Sequence, residues 1–179
     1  TAILATIFWA LGMSLLDAIC HAFTTLASGG FSTHSESIAY FNSPMIEWVT
    51  IVFMVITGIN FTLIPLLALR PKQAFQNLEL KVYLGLIIAA TTLTVLMVPQ
   101  TTETGEHIRD AAFQVIAIMT STGYATADYE TWPNLIRLML VYFMITGACM
   151  GSTSGGVKLT RILVFLKSVA RELHQMVYP

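Results

Sequence analysis

Two five-residue stretches carry the residue types that can hold an ion without a charged ligand. They are Ser28-Gly29-Gly30-Phe31-Ser32 and Ser121-Thr122-Gly123-Tyr124-Ala125. Each runs in the order hydroxyl residue, spacer, glycine, aromatic, small residue. A desolvated cation needs oxygen ligands in place of its water shell, and rings of backbone carbonyls supply them. Gly30 and Gly123 permit the dihedrals that turn successive carbonyls inward. Phe31 and Tyr124 are expected to pack behind their loops and hold the spacing. Ser28 and Ser121 can add a hydroxyl oxygen at the inner end. A single such stretch also reads as a turn, so the weight lies in there being two, in matching surroundings.

Those surroundings repeat. Asp17-Ala18 and Asp110-Ala111 each open a short apolar stretch that leads into the pentapeptide. A proline follows (Pro44, Pro133), then an apolar run containing Ile56-Thr57-Gly58 or Ile145-Thr146-Gly147. The unit is span, short helix, glycine-centred loop, span, and it occurs twice in the same orientation as a parallel repeat. The short helices are about ten residues long, half of what a crossing needs, and are therefore expected to be re-entrant. Asp17 and Asp110 are expected as their N-caps, at the positive end of each helix dipole. The partially negative ends then point at the glycine-centred loops, which favours a cation there. Irregular backbone at membrane depth is tolerated only where it is buried in protein or lines a cavity.

The chain of 179 residues is 55% hydrophobic and 11% charged, with a mean hydropathy of +0.72. Soluble domains carry about 25% charged residues, so a soluble enzyme and a disordered chain are both excluded. Apolar runs at residues 1–16, 46–69, 82–99 and from Trp132-Pro133 through 150 predict four passes. The predicted fold class is an all-α integral membrane protein of two repeats with a broken last span, divided into units 1–72 and 73–179. Thr1 opens inside an apolar run with no secretory signal, and the chain is expected to be a piece of something longer. Arg70, Lys72 and Lys81, then Arg161, Lys167 and Arg171, follow the second and fourth spans and mark the cytoplasmic side. Segments 17–45 and 100–131 then lie outside, where Asp17, Glu36, Glu103, Glu106, Asp110, Asp128 and Glu130 face Arg109 alone. That acidic face would concentrate cations, although surface loops are also simply charged. The net charge of −1 offers no basic field for nucleic acid. Cys20 and Cys149 form no disulfide framework. His21 and His34 are expected in packing or surface roles, and Arg137 is expected to reach the outer interface.

The fourth span is interrupted. Gly147, Gly151, Gly155 and Gly156 stand with Ser152, Thr153 and Ser154 within twelve positions that end at Lys158. Each interior glycine costs a helix about 1 kcal/mol against alanine, so irregular backbone is expected here, lining the cavity just inside the pentapeptides. The equivalent stretch of the first unit, residues 58–69, has one glycine and is expected to continue as helix up to Pro65. Lys158 suits a gating role or a side chain snorkelling to the inner interface. Residues 151–155 superficially match a serine-nucleophile turn, but Thr153 occupies the required serine position and His107 is predicted on the opposite side. No enzyme is expected. The tail 163–178 is amphipathic, with Lys167, Arg171 and His174 on its polar face, and fits the inner membrane surface or a docking site.

Residues 21–34 (HAFTTLASGGFSTH), 113–129 (FQVIAIMTSTGYATADY) and 147–162 (GACMGSTSGGVKLTRI) closely resemble the pore subunit of the bacterial Trk/Ktr potassium-uptake family, and within it the TrkH/TrkG branch. The resemblance covers essentially the whole chain and matches the second and third of four pore units around one pore. It implies potassium as the transported ion and no organic cofactor. It implies a filter with Ser28, Gly29, Gly30 and Phe31 as one wall and Ser121, Thr122, Gly123 and Tyr124 as the next. The loop through Gly151, Ser152, Thr153, Ser154, Gly155, Gly156 and Lys158 would be the gate. The implied setting is the bacterial inner membrane. The implied partners are a cytosolic nucleotide-binding regulatory subunit of the TrkA type and a second copy of the full-length subunit, within the lipid bilayer. Gly29 at the spacer and Ala125 in place of an outer glycine depart from the Thr-Val-Gly-Tyr-Gly loop of potassium channels, which makes a looser filter the expectation. A proton- or sodium-coupled symporter of the same architecture, or an intramembrane hydrolase, are the alternatives.

Overall fold

The computed structural model describes residues 1–99 and 104–177; Glu103 of the acidic outer segment and Tyr178 of the tail lie outside the described residues. The described residues are all-α, without a strand. In chain order the helices are α1 (Ala2–Ala10), α2 (Leu15–Leu26), α3 (Pro44–Thr57), α4 (Leu63–Leu69) and α5 (Pro71–Ala74). They continue with α6 (Leu78–Met97), α7 (Thr104–Met119), α8 (Asn134–Thr146) and α9 (Leu159–Val177). The repeat is visible as packing. α1 lies on α2 as α6 lies on α7, and α2 lies on α3 as α7 lies on α8. α3 also packs on α7, and that contact joins the two units.

Local chemistry sets the boundaries. The Ser14 hydroxyl accepts the Asp17 backbone N–H at 3.1 Å and donates to the Asp17 carboxylate at 2.7 Å, closing the first turn of α2. Asp17 is therefore inside the first turn, and Ser14 is the cap. Asp110 is no cap either: Thr104, Gly105 and Glu106 extend α7 upstream and leave Asp110 in mid-helix. α2 and α7 have 12 and 16 residues, somewhat longer than expected and still short of the roughly 20 that cross a bilayer. Pro44 starts α3, where its missing N–H is no loss. Asn77 caps α6 by accepting the Leu80 N–H at 3.2 Å.

Among the described residues, α6, with 20 residues, is the one helix long and apolar enough to cross a membrane by itself. The first apolar run ends as helix at Ala10, because Gly12 adopts φ +100° and turns the chain into α2. The second run departs from expectation: α3 stops at Thr57 and α4 resumes only at Leu63. Asn60 explains the break locally, since its side-chain oxygen accepts the Thr62 N–H at 2.9 Å and the Thr62 hydroxyl at 2.8 Å. The fourth run breaks where predicted, at Gly147.

The core includes Phe8, Met54, Tyr83, Phe113, Met119 and Ile136, all essentially inaccessible. Apolar side chains such as Ile88, Leu96 and Leu138 face outward on α6 and α8, as lipid-facing helices require. At the predicted outer end, Arg109 Nε donates to Glu47 Oε2 at 2.6 Å, with both side chains nearly buried. This pair ties α3 of one unit to α7 of the next.

Candidate cation filter and loop beneath it

Both pentapeptides follow directly on the C-terminal ends of α2 and α7 and share one backbone pattern. Ser28 and Ser121 have φ of +51° and +57°, and Gly30 and Gly123 have φ of +66° and +79°, with residues 29 and 122 between them outside this region. Left-handed backbone at alternate positions aims successive peptide groups to one side. Four of the N–H groups turn back onto the helices. Ser28 N–H donates to Thr25 C=O and Gly29 N–H to Thr24 C=O at 2.8 Å. Ser121 N–H donates to Ile118 C=O and Gly123 N–H to Ala117 C=O, both at 3.0 Å. These bonds satisfy the orphan carbonyls of the helix ends. Among the described residues, no hydrogen bond reaches the carbonyls of residues 28–31 or 121–124. Carbonyls left without a protein partner are open to water or to another ligand.

The two loops touch. A Cβ on Gly30 would lie 1.8 Å from the Thr122 carbonyl oxygen, so only glycine lets the walls approach. Gly123 has open space around it and is solvent-exposed, as is Gly29. The Thr122 side chain is buried against the Thr120 hydroxyl at 2.8 Å.

Tyr124 packs behind its loop as expected. Its hydroxyl shares hydrogen bonds with Thr24 at 2.5 Å and Thr25 at 3.2 Å, and donates to the His21 carbonyl at 3.3 Å. All three partners belong to α2, so the aromatic of one unit is braced by the half-helix of the unit before it. Phe31 does not pack behind its loop: it is 77% exposed. Both half-helices also hold their own loops. His21 Nδ1 donates to the Asp17 carbonyl at 2.8 Å, so its Nε2 accepts from the Ser32 hydroxyl at 2.9 Å. At the repeat-equivalent position, Gln114 donates to the Ala127 carbonyl at 3.0 Å. Further out, the Asp17 carboxylate accepts from Thr33 at 2.5 Å and lies 3.5 Å from His34, which stacks on Tyr40. The Thr33 and Ser14 hydroxyls hold the Asp17 carboxyl below its ordinary value. Asp110 instead lines an outer cavity of about 180 Å³ with His107, Asp128, Thr131 and Trp132. His107 Nε2 donates to the Val95 carbonyl at 3.2 Å beside this outer cavity. Arg137 donates to the Glu130 carbonyl at 3.2 Å at the same end.

Residues 147–158 form a compact loop whose two ends cross. Val157 and Lys158 N–H groups donate to Ile145 and Thr146 carbonyls at 2.9 and 2.8 Å, and a Cβ on Gly147 would strike the Gly155 carbonyl at 2.1 Å. Such a closed loop packed by its own atoms is an Ω-type loop. It sits directly under the pentapeptides: the Thr153 hydroxyl meets Ser28 Oγ at 2.8 Å, and Gly155 lies against Ser121 Oγ. It also pairs with the break in the second run. Cys149 N–H donates to Gly58 C=O and Phe61 N–H to Gly151 C=O, each at 3.1 Å. Gly58 is required there because a Cβ would sit 2.1 Å from the Tyr83 hydroxyl. Inside the loop, Ser152 and Ser154 hydroxyls meet at 2.8 Å, and Lys158, at φ +70°, donates its ammonium to the Ser154 carbonyl and hydroxyl. The lysine thus turns back into the loop.

Sequence reasoning had no pointer to Asn60, Gln114, Glu79 or the Glu47–Arg109 pair. Each acts on a partner distant in sequence or on backbone, and neither leaves a periodic signal. Arg161 makes no ion pair among the described residues.

A family profile described as TrkH, cation transport protein, matches residues 2–102 and 74–179. The Trk system potassium uptake protein TrkH of Halomonas elongata is 37% identical over 98% of this chain, and that of Escherichia coli K12 is 36% identical over the same share. This chain spans 37% of the length of each. The crystal structure of the potassium transporter TrkH from Vibrio parahaemolyticus superposes with a TM-score of 0.89 at 33% identity, covering 99% of this chain and 40% of that one.

Proposed function

The chain belongs to the TrkH family of cation transport proteins, and from that premise we propose that it supplies two adjacent walls of a potassium pathway across the bacterial inner membrane. The observation that carries the reading is the set of carbonyls at residues 28–31 and 121–124, which accept no hydrogen bond among the described residues while the N–H groups of Ser28, Gly29, Ser121 and Gly123 are spent on the helix ends. A cation is the ligand such oxygens suit, and the negative ends of α2 and α7 favour it further. Potassium is supported by the names of the relatives, each a potassium uptake protein or transporter.

In this mechanism a cation loses water to carbonyls of residues 28–31 and 121–124 and passes the hydroxyls of Ser28 and Ser121. It then stops above residues 147–158. Two walls do not enclose a path, so the remaining walls come from the rest of a full-length subunit. The loop is the gate: Thr153 and Gly155 close directly beneath Ser28 and Ser121, and its glycines let it fold aside. Lys158 holds the closed shape by donating to Ser154. A cytosolic nucleotide-binding subunit of the TrkA type moves the gate, acting on a homodimer of full-length subunits. Support for such docking is α9, whose amphipathic face is exposed along most of its length.

Gly123→Ser in the full-length subunit tests the filter, since the side chain enters open space at a left-handed position. Rubidium uptake with sodium competition should show lowered selectivity, and unchanged selectivity overturns the filter assignment. Deleting residues 151–155 should raise flux without the regulator. Flux that stays strictly regulator-dependent overturns the gate.

A further inference from the structure

The Met150 N–H, in the first third of the 147–158 loop, has one acceptor among the described residues: the Glu79 carboxylate, at 2.6 Å. The same oxygen, Oε1, also accepts the hydroxyl of Thr160 in the first turn of α9. Glu79 itself stands in the first turn of α6, where a carboxylate is stabilised by the helix dipole whatever else it does. That general effect does not explain why its oxygen is shared between a loop amide and a hydroxyl on a third element. Charge-assisted bonds of this kind are about twice as strong as neutral ones. The start of α6, the loop and the start of α9 thus meet on one half-buried oxygen. Beside it, a cavity of about 280 Å³ lined by Asn77, Leu78, Leu163, Val164 and Lys167 separates α6 from α9 and leaves α9 room to shift.

We propose that Glu79 is a positioning residue, a latch that holds the loop against the filter and links it to α9 through Thr160. The proposal rests on reading residues 147–158 as the gate. A displacement of α9 that draws Thr160 away pulls on the oxygen that also fixes Met150, and the loop is released at Met150. The bonds that close its two ends, from the Val157 and Lys158 N–H groups to the Ile145 and Thr146 carbonyls of α8, stay in place. Thr160 is then the side of the latch that a cytosolic partner reaches.

Cys149 adjoins Met150 and is fully buried, so its thiol reports release of the loop independently of flux. The experiment uses the full-length subunit with Cys149 as its sole cysteine, reconstituted in liposomes, with N-ethylmaleimide as the probe. Glu79→Ala should raise the labelling rate roughly tenfold, the loss of one charge-assisted bond, and should raise rubidium flux without the regulator while rubidium-over-sodium selectivity stays unchanged. Glu79→Gln keeps an acceptor oxygen at the same reach without the charge and should label at a rate between wild type and Glu79→Ala, roughly threefold raised. Glu79→Asp keeps the charge and loses the reach, and should label like Glu79→Ala; it decides the matter if the alanine variant does not assemble. Wild-type labelling in the alanine or aspartate variant overturns the latch. Raised labelling with flux still strictly regulator-dependent supports the latch and overturns the gate, so the two failures are distinguishable.

Discussion

Gly30→Ala is the sharpest perturbation available at the junction of the two walls. The added methyl would lie 1.8 Å from the Thr122 carbonyl oxygen, where Cβ contacts begin at 3.0 Å. Both partners are backbone, so no rotamer relieves the overlap, and the loops must separate by about 1.2 Å or more in an interior that is close-packed. The φ of +66° adds about 1–2 kcal/mol for a residue with a side chain. Gly123→Ala is the control: its φ of +79° imposes the same backbone cost, and nothing lies within 4 Å of the new methyl. In the full-length subunit in liposomes, rubidium uptake should fall to background for Gly30→Ala. For Gly123→Ala it should stay well above background, because about 1–2 kcal/mol lowers the folded-to-unfolded ratio roughly fivefold to thirtyfold and still leaves a protein of ordinary stability folded. Size-exclusion chromatography confirms assembly of each variant. A Gly30→Ala subunit that takes up rubidium with wild-type rate and selectivity refutes the claim that the walls touch at this point.

Tyr124→Phe removes a hydroxyl bonded to Thr24 and Thr25, and should lower stability by about 1 kcal/mol, with sodium competing better against rubidium. A double-mutant cycle with Thr24→Val should be non-additive. Arg109→Met strands the nearly buried Glu47 carboxylate and should cost about 3–5 kcal/mol, read as a lowered Tm; adding Glu47→Met should recover most of the loss. Asp17 has its carboxyl depressed below 3.8 by the Thr33 and Ser14 hydroxyls, so its stabilisation is present above the unfolded value and is lost as pH falls through the lower folded value. The Tm advantage of wild type over Asp17→Asn should therefore hold from neutral pH to about pH 4 and shrink below it.

Much of this architecture was legible because it is local or repeated. The pentapeptides, the half-length helices and the break at Gly147 all follow from residue types within a few positions. The all-α fold follows from hydropathy. The misses were of another kind. Asp17 and Asp110 align in the repeat, yet the caps depend on what precedes them: Ser14 takes the role in α2, and helix-permitting residues run on ahead of Asp110 in α7. The break after Thr57 has one local sign, Asn60 before Thr62. Its other cause is backbone from residues 149–151, some ninety positions away, which a single glycine does not announce. Phe31 aligns with Tyr124 in the repeat, yet it is exposed where Tyr124 is buried, a difference that the pentapeptide alone does not signal. Glu79 sits in a stretch that reads only as a charged connection, because its partners are an amide and a hydroxyl.

The central claim is that the free carbonyls of residues 28–31 and 121–124 are cation ligands. Anomalous diffraction from crystals of the full-length subunit grown in rubidium tests it most directly. The account expects an anomalous peak within coordination distance of carbonyl oxygens from both pentapeptides, above Thr153. Rubidium bound only elsewhere, with those carbonyls facing solvent alone, would contradict it.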